Sequence, residues 1–184
     1  METRPKRLTF ALMFQIKEKM KYQITWNQLP KNLEELQALP QADLKTPEGT
    51  AALTVAALAV YPTNHEECYR MLDFLRGPRP LSNYEKQFIR DRFMDGNDYL
   101  VKSYFKGATP ANNYTPDVPY VLEFSDNVAP FAEEGYKRFD IKSGGADTPR
   151  PITLRLKPST GQWFLWEQII LVGIRVPVSQ DPWA

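Results

Sequence analysis

Gly96-Asn97-Asp98-Tyr99-Leu100-Val101-Lys102-Ser103-Tyr104-Phe105-Lys106 is the stretch on which the reading of the fold turns. Upstream of it, capped segments repeat apolar residues every three or four positions. Downstream, short runs alternate apolar and polar residues and are broken by Pro, Gly, Asn and Asp. Helices first and strands afterwards predict an α+β domain, because parallel βαβ units would interleave the two periods. The expected architecture is a set of amino-terminal helices packed on one face of a curved, mainly antiparallel sheet of about five strands.

Moving back from residue 96, the helix signals are explicit. Ser82 with Glu85 forms a capping box ahead of the stripe Phe88, Ile89 and Phe93. Asn64 with Glu67 opens the stripe Cys68, Met71, Leu72 and Leu75, which Gly77-Pro78 closes. Thr46-Pro47-Glu48 places a cap, a first-turn Pro and an acidic residue before Ala51 to Val60, which is apolar nearly all round and so predicts a buried central helix ended by Tyr61-Pro62. Leu29, Leu33, Leu36 and Leu39 share one helical face, with Asn32 as cap and Pro40 as stop.

Moving forward, strands are expected near 99–106, 118–125, 136–142, 151–157 and 162–176. The last would extend about 50 Å if straight, so a bend or bulge is expected near Glu167-Gln168. Alternation turns Val118, Tyr120, Leu122, Phe124, Phe139, Ile141, Ile152, Leu154 and Leu156 toward the helices. The loop Gly107 to Asp117 is long for a hairpin, and long ordered loops often carry function.

A chain of 184 residues with 42% hydrophobic and 12% aromatic residues suits one domain with a real core. A net charge of +1 excludes a protein built mainly to neutralise phosphates, so no specific nucleic-acid partner is expected. Cys68, the single cysteine, has no disulfide partner within the chain, which points to a reducing cytoplasm. No apolar run reaches the roughly 20 residues of a membrane span. Residues 1–19 hold five basic and two acidic residues and read as a basic extension, one reading of which takes Met20 as the natural start. Their charged-then-apolar order imitates a signal peptide, but Lys17-Glu18-Lys19 stands where small residues should surround a cleavage site. The remainder, 20–184, divides into helices 29–96, sheet 99–176 and a docked tail 177–184.

Few residues could carry chemistry. His65 and Cys68 are three apart on one helix, yet Cys68 belongs to the apolar stripe, where a thiol is inert. Asp91, Asp95 and Asp98 at a helix end fit solvated or capping carboxylates better than a metal site. Gly144-Gly145 is too isolated for a phosphate loop and is expected to supply positive backbone angles. No catalytic, metal or cofactor site is assigned. The polar side of the predicted sheet is more informative. It would carry Lys102, Tyr104, Lys106, Glu123, Arg138, Asp140, Arg155, Lys157, Glu167 and Arg175, six bases against three acids. Such an excess suits a small anionic ligand or an acidic protein partner, with Lys102, Tyr104, Arg138, Arg155, Glu167 and Arg175 as candidate binding residues. The alternative is an ordinary solvated face. Trp163 and Trp166 should fall on opposite faces, one of them core. Trp183, near the end of the sequence, should dock onto the domain or onto a partner.

Four segments carry a family resemblance: Ala146-Asp147-Thr148-Pro149-Arg150-Pro151, Arg155-Leu156-Lys157-Pro158-Ser159-Thr160-Gly161, Trp163-Phe164-Leu165-Trp166-Glu167, and the ending Gly173-Ile174-Arg175…Asp181-Pro182-Trp183-Ala184. They resemble an uncharacterised family of small bacterial proteins, a domain of unknown function from Gram-positive anaerobes. The resemblance implies a cytosolic bacterial protein and transfers no catalytic residue. The expected function is a non-catalytic cytosolic binding or interaction domain using the sheet face, the 107–117 loop and the tail. A second reading is an enzyme or small-molecule carrier with a pocket between helices and sheet, for which Glu167, Gln168 and Tyr120 are the polar candidates. A third is a self-assembling component.

Overall fold

The computed structural model of the chain describes residues 19–127 and 133–184. The basic stretch ahead of Lys19 lies outside the described residues. Strand β1 (Lys21–Trp26) comes first, followed by helices α1 (Leu33–Gln37), α2 (Pro47–Leu58), α3 (His65–Arg76), α4 (Asn83–Phe93) and α5 (Tyr99–Lys102). Strands β2 (Tyr120–Asp126), β3 (Tyr136–Ile141), β4 (Arg150–Lys157) and β5 (Gln162–Gln168) complete an open antiparallel sheet in the order β1-β2-β3-β4-β5. The fold is α+β.

The caps act as their residue types require. The side chains of Asn32, Thr46, Asn64 and Ser82 each accept a hydrogen bond from an otherwise bare first-turn amide. At Ser82 the box is complete, since Glu85 accepts in return from the Ser82 amide at 2.9 Å. Helix α2 is buried from Gly49 to Leu58 and is the centre of the molecule, packed on β3, β4 and β5. Leu53 and Leu58 share one buried cluster with a sheet face built from Leu122, Phe139, Ile141, Ile152 and Leu154, all fully buried. The layer between helices and sheet is therefore filled by packed hydrocarbon.

Several expectations need correction. A strand precedes the helices: Tyr22, Ile24 and Trp26 alternate with Lys21, Gln23 and Thr25, and the strand pairs along β2 from Lys21↔Ser125 to Trp26↔Tyr120. The segment 99–106 is not a strand. Tyr99, Leu100 and Val101 are buried in succession, which a helical turn inside the core permits and a strand with one solvated face does not, and only Phe105 bridges to Leu122. Val118 is 70% exposed and precedes β2 rather than facing the helices. Finally, Gly144 and Gly145 do not supply positive backbone angles. They give space: a Cβ on Gly144 would stand 2.0 Å from the Ala108 carbonyl oxygen, and one on Gly145 would stand 2.2 Å from the Tyr114 hydroxyl.

The last predicted strand ends at Gln168, where a break was expected. Thr153 pairs with Glu167 and Leu154 with Leu165, so Trp166 is the extra residue of a bulge. The free edge of β5 is covered: the Trp163 amide donates to the Leu44 carbonyl at 2.8 Å, and the Thr50 hydroxyl donates to the Trp163 carbonyl at 2.9 Å. The tail is tied at Val178–Gln180, where the Ser179 hydroxyl donates to Asn113 at 2.5 Å, but the Trp183 side chain is not docked. It is 93% exposed.

Candidate functional site

The polar face of the sheet forms as the alternation requires on β3, β4 and β5. Tyr136 pairs with Arg155, and Arg155 pairs with Phe164, so these three share one face of the sheet, with Phe164 half-buried against Gly77 at the end of α3. One row along, Arg138, Thr153 and Glu167 do the same. The bulge adds Trp166 to this side, with its ring 5.6 Å from that of Tyr136. Trp163, paired with Leu156, turns the other way and packs against the core.

The connection between α3 and α4 closes one corner of this face. Arg76 is buried and holds the connection from inside: it donates to the Arg79 carbonyl at 3.0 Å and pairs with Glu85 at 2.7 Å. Burial pulls the Arg76 guanidinium down. Burial also pushes Glu85 up, but the Ser82 amide and hydroxyl together with Arg76 outweigh it and hold that carboxylate below its ordinary range. Asp73 accepts from the Leu81 amide at 2.7 Å and fixes the far end. Gly77 is required here twice over. Its φ is +56°, and a Cβ would stand 2.3 Å from the Phe164 ring.

Arg79 is thereby laid over Trp166, its guanidinium carbon 4.0 Å from the ring centroid, and it donates to the Trp166 carbonyl at 2.6 Å. Arg155 approaches the same ring at 4.7 Å and the Tyr136 ring at 5.4 Å. These contacts fix two flexible side chains without neutralising either charge. The result is a cleft of about 350 Å³ lined by Arg76, Arg79, Arg155, Lys157, Phe164 and Trp166, together with Pro78 and Pro158. Arg79, Arg155 and Lys157 form no close carboxylate ion pair among the described residues, although the Arg79 charge helps hold Glu85 down, and no acidic side chain lines the cleft. A neighbouring cleft of about 400 Å³ shares Arg76, Arg79 and Trp166 and takes the acidic residues Glu85 and Glu167.

Of the residues singled out from sequence, Arg155 lines the cleft, and Arg138 and Glu167 lie one row away. The other three lie elsewhere. Lys102 sits on α5 because that segment is helical. Tyr104 is buried, and its hydroxyl donates to the Ile170 carbonyl at 2.5 Å. Burial pushes its pKa up. Arg175 follows the sheet and is paired with Asp147, whose carboxyl it holds below the ordinary range. Sequence reasoning missed Arg79 and Arg76, which flank the Gly77-Pro78 turn. The available signal was the run Arg76-Gly77-Pro78-Arg79-Pro80, two bases around a forced turn.

The remaining candidates lie outside this cleft. Cys68 is buried and its thiol is pushed up by burial, while His65 is exposed beside Glu66 at 3.1 Å. Among the described residues no group of three His, Cys, Asp or Glu side chains could hold a metal ion. The 107–117 loop is a built structural unit: Asn112 donates to the Gly107 and Thr115 carbonyls at 2.8 and 3.1 Å, and buried Tyr114 donates to the Arg175 carbonyl at 2.6 Å. In the second reading, Glu167 would face inward, but it lies on the outer face. Gln168 is spent on the Ile170 amide at 3.0 Å.

A family model described as a domain of unknown function (DUF6935) matches residues 28–178. The chain belongs to that family. The DUF6935 match contains the whole α3–α4 connection and all of β4 and β5, and with them every residue of the cleft. Strand β1 and residues 179–184 lie outside it. No curated protein and no solved structure matches the chain. Among the described residues no helix is long and apolar enough to cross a membrane.

Proposed function

We propose that this domain is a non-catalytic binding module that takes an anionic partner in the cleft between the α3–α4 connection and the outer face of β4 and β5. The observation that carries the reading is the convergence of Arg79, Arg155 and Lys157, none of them paired with a carboxylate, on an aromatic floor of Trp166 and Phe164. Stacking leaves the N–H edges of Arg155, and those of Arg79 that do not donate to the Trp166 carbonyl, available to a ligand carboxylate or phosphate. Apolar walls from Pro78 and Pro158 lower the local polarity and strengthen that attraction. A cytoplasmic setting accompanies this reading, supported by the free thiol of Cys68.

Calorimetric titration of the protein with inorganic pyrophosphate and with a hexaglutamate peptide tests the proposal. Binding should be salt-dependent and should weaken about tenfold in Arg155→Gln and in Arg79→Gln, the value of one charge-assisted contact. Unchanged affinity in both variants, or no binding of either probe at low salt, rejects the cleft.

A further inference from the structure

The tail and the cleft carry complementary chemistry, and one chain does not bring them together. After the Val178–Gln180 turn the tail presents Asp181, Pro182 and Trp183. Val176 is 45%, Val178 48% and Trp183 93% exposed, which is an unusual amount of bare apolar side chain on one short segment. Asp181 accepts from the Trp183 amide at 2.9 Å through one oxygen, so the carboxylate and the indole are held on one turn. The cleft offers the counterparts: cations without carboxylate partners, beside proline and aromatic walls.

We infer that the tail of one copy of this chain enters the cleft of a second copy. Trp183 would lie against Phe164 and the Arg155 and Arg79 guanidiniums, and Asp181 would pair with Arg79 or Lys157. A cleft of about 350 Å³ falls within the usual size of a ligand pocket and admits an indole with a neighbouring carboxylate. Tail into cleft is a heterologous contact. Two chains that exchange tails close a dimer, and chains that do not exchange extend head to tail. A single short tail buries less than a standard stable interface, so the association should be concentration-dependent. The inference rests on the proposed cleft and names its occupant.

Sedimentation velocity at several protein concentrations should show association that weakens at least tenfold in Trp183→Ala and in Arg155→Glu, and further at high salt. An amidated peptide spanning residues 176–184 should bind the Trp183→Ala chain and fail to bind Arg155→Glu. Amidation leaves Asp181 as the peptide's only carboxylate. Circular dichroism of both variants separates lost docking from lost folding. A chain that stays monomeric at every concentration, or a peptide that binds Arg155→Glu as well as it binds the parent cleft, overturns the inference. Either result leaves the pyrophosphate and hexaglutamate titrations untouched, so the two readings fail separately.

Discussion

Gly144 and Gly145 show how much one missing carbon decides. Both lie in the connection after β3 where the chain passes against Ala108 and Tyr114, and their value is the absence of a Cβ rather than freedom of φ. Gly144→Ala would drive a methyl into the Ala108 carbonyl, and overpacking of that kind costs about 1–3 kcal/mol. Gly96 is the comparison. Its φ is +78° with open space around it, so Gly96→Ala meets only backbone strain and should cost about 1 kcal/mol. Urea unfolding of the two variants should rank them in that order, and equal losses would refute the steric account. The same logic explains why Arg155 was legible in sequence and Arg79 was not. Arg155 sits on a strand whose alternation is regular, so its face follows from its parity. The direction of Arg79 depends on a turn and on buried Arg76, and no periodicity encodes either.

At the scale of elements, helix starts and stops were written locally. Ser82 and Glu85 satisfy each other's backbone within one turn, so the box needs no tertiary contact to be recognised. Ser82→Ala should lower stability by about 1 kcal/mol, measured by denaturant midpoint. Glu85 has a second duty toward Arg76. Its carboxylate is held below the ordinary value of 4.5, so its contribution is complete above that pH and is lost as pH falls through the lowered value. Glu85→Gln should therefore reduce stability at neutral pH and flatten the acid side of the stability profile. An unchanged acid limb would remove Glu85 from the account. Helix α5 was misread because its residues satisfy two patterns at once: Tyr99 and Val101 alternate like a strand, and Leu100 between them is buried as well. Burial on all sides erases the distinction that periodicity relies on.

At the scale of the molecule, the sheet is protected unequally. Leu44 and Thr50 cover the β5 edge, whereas β1 forms the other edge, with Tyr22 set against Phe124 and Phe139. Burial pushes the Tyr22 phenol up to about 12, helped by the hydroxyl's hydrogen bond to Asp126 at 3.1 Å. A raised folded-state pKa means that this contribution is complete below pH 10 and is lost as pH climbs through about 12. Stability should decline over that window, and Tyr22→Phe should make the decline shallower. Tyr69, Tyr99, Tyr104 and Tyr114 are raised too and leave a residual slope in the variant. A decline identical in both proteins would mean that the β1 edge opens before the phenol titrates.

Local chemistry in the sequence determined where α1 to α4 begin and end, the α+β class, the parity of β2, β3 and β4, and the break near Glu167-Gln168. Each of these depends on residues within a turn or a strand of one another, where capping and side-chain alternation act directly. Strand β1 had the same kind of signal in Tyr22, Ile24 and Trp26, but its partner β2 is nearly a hundred residues away in the chain, so only tertiary pairing revealed it. The tertiary structure alone decided that Arg79 stacks on Trp166, that Tyr104 and Arg175 are committed elsewhere, and that Trp183 stands free. Those outcomes follow from which distant backbones pass within a few ångströms, a condition that no local pattern of residues carries.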